Sequence, residues 1–433
     1  MSIRVGVSSV ASVVGLLVGL GGAVALEASP PVDETKQRVE NLVKELDAPK
    51  RSDREKAGEA LRSLGADAIE YLPALDDRGL SAEQHNRLKR LLPALWDAKR
   101  QRDVEGSRIG PFAKKLAVEE LLLEIEEATG NRMVDMRLEL NQPISDALVS
   151  LPKETTFWQA LDQMNEQAGT SYFLYPQGRA LGISGNPGVQ PPVDYAGALR
   201  LAVSQIVLRN VFQPRPDTSC RVDLQVLVEP RLKPLAITVP FEKFAAILDK
   251  GEPLAFARDE ELTIEVDPTS IVTEFTLRLE QPPREATTIK SLRGEIGLLL
   301  PAAQSVFTFE DLAKDERQTK NTTDLRVNLV DSFEDDGIYT FALEFEWLDD
   351  RRAIPSHLRS LLEPEVYLEL GDGSRFAQNG GLSTLVLEDS RVGFEYIFVD
   401  VPAKRSDVKL IATVPTGIGT VSVPIEFKDL PLP

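Results

Sequence analysis

The chain has 433 residues and a formal net charge of −19, with 49 basic residues against 68 acidic ones. At roughly 100–200 residues per domain, this length allows about two to four domains. The acidic balance excludes a broad phosphate-binding face, so we expect no nucleic-acid partner, and the single cysteine, Cys220, excludes an intrachain disulfide.

The first 25 residues have the composition of a secretory signal peptide. Arg4 precedes the almost uncharged run Val5–Leu20, and the small residues Ala23 and Ala25 form the pattern that signal peptidase cleaves, here before Leu26. The run is short and rich in glycine, and an acidic, proline-rich stretch follows it, so we expect no stable membrane span after cleavage. The sequence therefore predicts an exported protein of the periplasm, the cell envelope or the extracellular space.

Residues 26–104 are predicted to form a helical segment. Ser52–Glu55 and Ser81–Gln84 have the spacing of capping boxes, and apolar residues follow each at helical intervals. The stretch from Val43–Asp47 to Tyr71–Leu75 resembles a HEAT-type helical repeat and covers about one and a half units of it. Because a solenoid needs about three units, the resemblance implies a small helical bundle or a cap packed on its neighbour.

The end of this segment is basic, in contrast to the rest of the chain. Six basic residues stand there: Arg87, Lys89, Arg90, Lys99, Arg100 and Arg102. Such a group is typical of a solvated helix face, and the alternative is a docking surface for an acidic partner or for an acidic stretch of the same chain. Arg87, Arg90 and Arg100 are the candidate docking residues. Residues 101–110 and 185–192 have the composition of linkers.

Residues 112–184 are predicted to form a small α+β module. Amphipathic helices are expected to end at Gly130 and Gly169, and strands are expected near 133–136 and over 144–151, 172–175 and 180–183. This order of elements, with the sequences Val149–Pro152 and Thr156–Leu161, resembles the secretin and TonB short N-terminal domain. The resemblance implies a periplasmic module that contacts partner proteins rather than a catalytic domain. The strands that follow are not those of a secretin or a receptor barrel, so that family's transport role is not carried over.

From residue 193 onward, alternating apolar and polar residues predict antiparallel strands, each with one buried and one wet face. The strands expected are Leu199–Leu208, Cys220–Val228, Leu262–Val266, Phe275–Leu279, Leu325–Leu329, Tyr339–Trp347, Val366–Leu370 and Gly393–Val399. Their spacing predicts two β-sandwich-like domains, 193–281 and 286–433, that divide near Gln281–Pro283. The predicted fold class is thus multidomain α+β: a helical segment, a small α+β module and then mainly antiparallel β structure.

No group of residues identifies a reaction. His85 and His357 stand beside no Gly-x-Ser-x-Gly turn, and no Cys/His pattern fits zinc. We expect both histidines at the surface and Cys220 as a small buried hydrophobic residue rather than a nucleophile. The sequence therefore predicts no catalytic residue, no metal and no cofactor.

Asp331–Gly337 has a superficial likeness to a calcium loop. Aligning Gly337 with the sixth position of an EF-hand puts Leu343 where the closing carboxylate belongs, so that match fails. A hairpin turn with positive φ at Asp336 and Gly337 explains the same residues. Weak calcium binding by the loop carboxylates stays open.

We therefore expect a non-enzymatic protein of the periplasm or cell envelope that works by protein-protein contact or as a structural component, with a partner not yet identified. The alternative is a carboxylate-based hydrolase, or a binding protein, that acts on envelope or extracellular glycans. An open groove with exposed aromatic residues and a carboxylate pair would favour the alternative. Aromatic residues of Tyr339–Trp347 buried in a core, as their alternation predicts, would count against it.

Overall fold

The computed structural model describes residues 32–73, 75, 79–142, 144, 146–175, 179–212, 217–257, 261–314, 316–322, 325–348, 364–388 and 391–433. The expected signal peptide, with Ala23, Ala25 and Leu26, lies outside the described residues, as does His357. Strands outnumber helices and the sheets are mostly antiparallel, which confirms a multidomain, mainly β protein. No helix within these ranges combines the length and the apolar character that crossing a membrane requires.

The helical segment contains α1 (Val32–Glu45), α2 (Arg51–Leu64), α3 (Ala66–Ile69) and α4 (Ala82–Glu105). The capping box at the start of α4 is confirmed: the Gln84 amide donates to Ser81 Oγ at 3.2 Å, and the Ser81 amide donates to Gln84 Oε1 at 2.8 Å. The box expected at Ser52 is wrong, because α2 begins at Arg51 with Lys50 as its N-cap, so Ser52 lies inside the helix. Apolar faces of these helices share one core.

Helix α4 also connects the helical segment with the strands that follow. It contributes Leu88, Leu91 and Leu95 to the helical core, whereas Val104 near its end belongs to the core of the first sheets. The linker expected at 101–110 is therefore wrong in its first half. Beyond the helix, Gly106 has a φ of 84°, and a Cβ there would stand 2.5 Å from the backbone of Gly197, so a side chain has no room.

The α+β module consists of β1 (Arg108–Ile109), α5 (Val118–Thr129), β2 (Met133–Asp135), β3 (Thr155–Thr156), α6 (Phe157–Ala168), β4 (Ser171–Leu174) and β5 (Leu181–Ser184). Its sheet has the order β2-β5-β4, with β2 parallel to β5. Both helices end at left-handed glycines, Gly130 and Gly169, as expected. The strand expected over 144–151 is wrong, since its described residues form only an isolated bridge from Val149 to Leu116.

The remaining strands are, in chain order, β6 (Val193–Ala196), β7 (Leu199–Val211), β8 (Asp217–Val228), β9 (Ala236–Val239), β10 (Ala245–Leu248), β11 (Pro253–Leu254), β12 (Leu262–Glu265), β13 (Val272–Leu279), β14 (Thr288–Leu300), β15 (Ala303–Phe309), β16 (Gln318–Asn321), β17 (Leu325–Asp335), β18 (Ile338–Trp347), β19 (Glu365–Glu369), β20 (Arg375–Ala377), β21 (Gly381–Glu388), β22 (Arg391–Val399), β23 (Lys409–Thr416) and β24 (Gly419–Pro431). They form two pairs of sheets. Each pair encloses its own hydrophobic core, an arrangement compatible with β-sandwiches.

The first sheet pair joins the sheet β13-β8-β7-β6 to the sheet β11-β10-β14-β9-β12, with β24 paired to β14. The β14–β24 ladder runs from Thr288 opposite Pro431 to Leu300 opposite Gly419. The domain boundary predicted between 281 and 286 is therefore wrong. Apolar residues of β14 and β24 face the first core, so the second sheet pair is inserted between these two strands.

The second sheet pair has the sheets β15-β23-β19-β20 and β16-β17-β18-β22-β21. The core prediction for β18 is confirmed for Tyr339, Phe341 and Phe345, which are buried, whereas Trp347 at the end of the strand is half-buried. Asp336 and Gly337 have φ values of 46° and 81°, which confirms the tight turn between β17 and β18.

Candidate binding sites

The predicted docking residues do not share one exposed surface. Arg90 is exposed, and Arg87 is half-buried with its Nε 2.7 Å from the Glu83 carboxylate. Arg100 is 2 % exposed and donates to the backbone oxygen of Gly417 and to Asp97. The inclusion of Arg100 in a docking surface is therefore corrected: this side chain joins α4 to the loop before β24.

Among the described residues, Cys220 and His85 lie on different elements, β8 and α4. Cys220 is fully buried, and burial raises the pKa of its thiol to about 11, so the residue behaves as the small hydrophobic side chain expected. His85 lies half-buried on α4. In the described part of the chain, no three His, Cys, Asp or Glu residues come together as a metal site would require.

A cavity of about 770 Å³ forms a polar cleft beside α6. Amides and carboxylates dominate its lining, among them Gln159, Gln163, Glu166 and Gln190. Such a lining offers many hydrogen-bonding groups. Tyr195 is the one aromatic residue among those that line the cleft.

A buried ion pair forms the floor of the polar cleft. Asp162 accepts hydrogen bonds from the Tyr195 hydroxyl at 2.5 Å, from Arg200 Nε at 2.7 Å and from the Tyr172 hydroxyl at 3.2 Å. Burial, and then the charge and hydrogen bond of Asp162, raise the pKa of both tyrosines, so they remain protonated donors. Through these hydrogen bonds, Asp162 of α6 connects the module with Tyr195 and Arg200 of the first sheet pair.

A second cavity, about 520 Å³, separates the helical segment from the second sheet pair; we call it the apolar groove. Leu72, Leu75, Leu92 and Trp96 line its helical wall, and consecutive residues of β15, Ala303–Phe307, line the other. Successive side chains of a strand point to opposite faces. A cavity lined by five consecutive residues therefore runs along the edge of the strand and not over one of its faces.

Strand β15 is an edge strand. Within the described residues it pairs with β23 alone, so its outer backbone amides and carbonyls face the apolar groove without a ladder partner. Val306, on this strand, is 61 % exposed although it is apolar. Unpaired backbone groups beside apolar surface provide the two features that an extended peptide needs for adding a strand.

A basic cavity of about 390 Å³ adjoins the apolar groove, because Ala303 and Gln304 line both. Among the described residues, the charged side chains that line it are Lys99, Arg231, Lys233 and Asp103. Lys99 lies 2.5 Å and Arg231 3.7 Å from Asp103. Lys233 is exposed and makes no ion pair with any described residue.

A buried polar junction fixes the helices relative to the strands. Glu229, fully buried, accepts hydrogen bonds from the Ser107 amide at 2.8 Å, from Asn131 Nδ2 at 3.2 Å and from Arg231 Nε at 2.6 Å. Arg231 also donates to the backbone oxygen of Asp103 at 2.8 Å, in α4. The network connects α4, the module and the first sheet pair, so the wall of the apolar groove is held in place before any partner arrives.

Sequence reasoning missed the apolar groove. None of the eight strands predicted after residue 193 covers Ala303–Phe309, and Leu72, Leu75, Leu92 and Trp96 lie in the segment predicted only to be helical. The signal that was present is the lack of charge and proline over Ala303–Phe309, which is unusual for an edge strand. Comparison of the chain with family models, with curated proteins and with solved structures found no match.

Proposed function

We propose that this chain is an exported, non-enzymatic protein of the periplasm or cell envelope that binds a partner protein in the apolar groove. The partner supplies an extended segment that pairs with the outer edge of β15. The observation that carries the proposal is the unpaired edge of Ala303–Phe309 beside the apolar helical wall. In this mode of recognition, backbone hydrogen bonds provide affinity and the groove selects side chains.

Two further features support binding. Natural edge strands are usually protected by charges, prolines or bulges, and β15 has no charged residue and no proline. The rigid junction around Glu229 also lowers the entropy cost of binding, because the groove needs little rearrangement. The resemblances of residues 26–104 to a HEAT repeat and of 112–184 to the secretin and TonB short N-terminal domain favour the same kind of role.

The alternative, a hydrolase of glycans, has less support. The aromatic residues of β18 that would stack on a sugar lie in the second core, and Asp162 in the polar cleft is occupied by three donors. A glycosidase needs two carboxylates free to act as acid and base or nucleophile.

Export is tested by N-terminal sequencing of the protein recovered from cells. The expected mature chain begins at Leu26, and Ala25→Arg blocks its production because the cleavage site needs a small residue. Recovery of a chain that begins at Met1 or Ser2 would contradict export by cleavage. The outcome of this export experiment does not depend on whether the apolar groove binds a partner.

The groove is tested by selecting random peptides of about ten residues for binding to residues 26–433. Selected peptides should slow amide hydrogen exchange in Ala303–Phe309. The Val306→Lys variant should weaken their binding at least about tenfold, because it places a charge in an apolar site. Leu385→Lys is the matched control, since Leu385 is an exposed residue of a different edge strand, β21. Selected peptides that bind both variants equally, or a failure to select any peptide, would overturn the proposal.

A further inference from the structure

We infer that the partner segment runs antiparallel to β15 and carries acidic side chains just after its apolar stretch, so that these side chains enter the basic cavity. The inference rests on the proposed function, because it specifies the segment that the apolar groove accepts. Two observations carry it: the order of the two cavities along β15, and the charge of the second cavity.

The two cavities follow one another along the strand. The apolar groove reaches from Ala303 to Phe307, whereas the basic cavity includes Ala303 and Gln304 and continues into Leu300–Ala302. A segment that pairs with β15 and extends past Ala303 therefore enters the basic cavity. The residues of that segment near Phe307 face the apolar wall, and those beyond Ala303 face the cations.

The charge of the basic cavity differs from that of the whole chain. The chain has a net charge of −19, yet the cavity is lined by three cations and one carboxylate. Asp103 already contacts Lys99 and Arg231, and the buried Glu229 also pairs with Arg231 at 2.6 Å. The exposed Lys233 has no ionic partner among the described residues, so it is the cation in excess. An incoming carboxylate thus meets net positive charge, whereas an incoming cation is repelled.

The direction follows from the pairing geometry. Antiparallel pairs are slightly more stable per residue than parallel ones, and β15 already pairs antiparallel with β23. In an antiparallel partner, the residues beside Phe307 precede those beside Ala303. The acidic side chains therefore stand on the carboxyl side of the apolar stretch.

The test uses synthetic peptides with blocked ends and a core of alternating valine and threonine. One peptide carries two glutamates at the carboxyl end, a second carries two glutamines there, and a third carries the glutamates at the amino end. Fluorescence anisotropy with residues 26–433 should show that the first peptide binds about three- to tenfold more tightly than the second.

This advantage of the glutamate peptide should fall as the salt concentration rises, and it should disappear in the Lys233→Glu variant. Lys428→Glu, at the other end of β24 from Gly419, is the control and should keep it.

The outcomes separate this inference from the proposed function. Tighter binding of the peptide with amino-terminal glutamates would overturn the direction. Equal binding of the glutamate and glutamine peptides would overturn the charge recognition, and the proposed function would stand if Val306→Lys still abolished binding of both. Binding that neither Val306→Lys nor Lys233→Glu changes, or no binding of any peptide, would overturn both.

Discussion

Asp162 and Arg200 form a buried ion pair, and the two residues are 8 % and 5 % exposed. Loss of one partner of a buried ion pair leaves the other charge uncompensated, at a cost of about 3–5 kcal/mol. We expect Asp162→Asn to lower the free energy of unfolding by about that amount in urea titrations. Glu166→Gln, in the same cleft and without an ion pair to any described residue, should change it by less than ~0.5 kcal/mol. Similar effects of the two substitutions would contradict a structural role for Asp162.

The raised pKa values of the tyrosines that contact Asp162 predict that the folded state is less stable in alkali. Burial raises the pKa of Tyr172 and Tyr195 above the ordinary value of 10.0, so the folded state favours their neutral form. The stability that they contribute is present below pH 10.0 and is lost as the pH rises through their folded pKa values.

We therefore expect the free energy of unfolding to be lower at about pH 11 than at about pH 9. Tyr195→Phe should reduce that difference, because phenylalanine ionises in neither state. Tyr175→Phe, whose hydroxyl is not among the donors to Asp162, is the control. An equal effect of both substitutions on the pH dependence would argue against the Asp162 cluster as its source.

Residues governed by local geometry were predicted from the sequence, and residues governed by distant contacts were not. Gly130, Gly169 and the Asp336–Gly337 turn have the positive φ values expected, because such positions depend on neighbouring residues. The burial of Arg100 depends on Gly417, which is 317 positions away. A basic residue on a helix gives no indication of such a partner.

At the scale of elements, alternation identified strands but not their partners. Each of the eight strands expected after residue 193 overlaps a strand of the fold. The domain boundary failed because β14 pairs with β24 across the whole second sheet pair, and an alternating pattern is the same whichever sheet receives it. For the same reason, the sequence pattern does not show that β15 lies at the edge of a sheet.

The pairing of β24 predicts that this last strand is needed for the first core. Phe427 is 1 % exposed and belongs to that core, so Phe427→Ala should cost about 3–5 kcal/mol. Hydrogen exchange should also become faster in the amides of β14, its ladder neighbour. Lys428→Ala, the next residue along the strand and exposed, should leave both measurements nearly unchanged. Faster exchange confined to β23 and β19 would instead place β24 with the second core.

At the scale of the whole molecule, the parts are joined by buried polar contacts. Besides the Glu229 network, Arg179 of the module donates to the backbone oxygens of Leu232 at 2.5 Å and Pro230 at 3.3 Å, and burial lowers the pKa of its guanidinium to about 10. Composition suggested flexible linkers because glycine, proline and charges collect at 101–110. In the fold, Gly106 permits a close approach to the backbone of Gly197 instead, so composition alone does not show that this stretch is flexible. The apolar groove depends on this rigidity.

Limited proteolysis tests that rigidity. Arg102 and Arg108 are sites for trypsin, but Arg102 lies in α4 and the amide of Ser107 is held by Glu229. We expect no early cut at either arginine in residues 26–433, because cleavage requires local unfolding of the backbone.

The Glu229→Ala variant should be cut faster at both arginines, since Ser107, Asn131 and Arg231 lose their common acceptor. Glu274→Ala, which removes an exposed hydrogen bond to Gln225, is the control. Rapid cleavage after Arg102 or Arg108 in the unsubstituted chain would show that the helical segment moves independently, and a groove between it and β15 would then not be preformed.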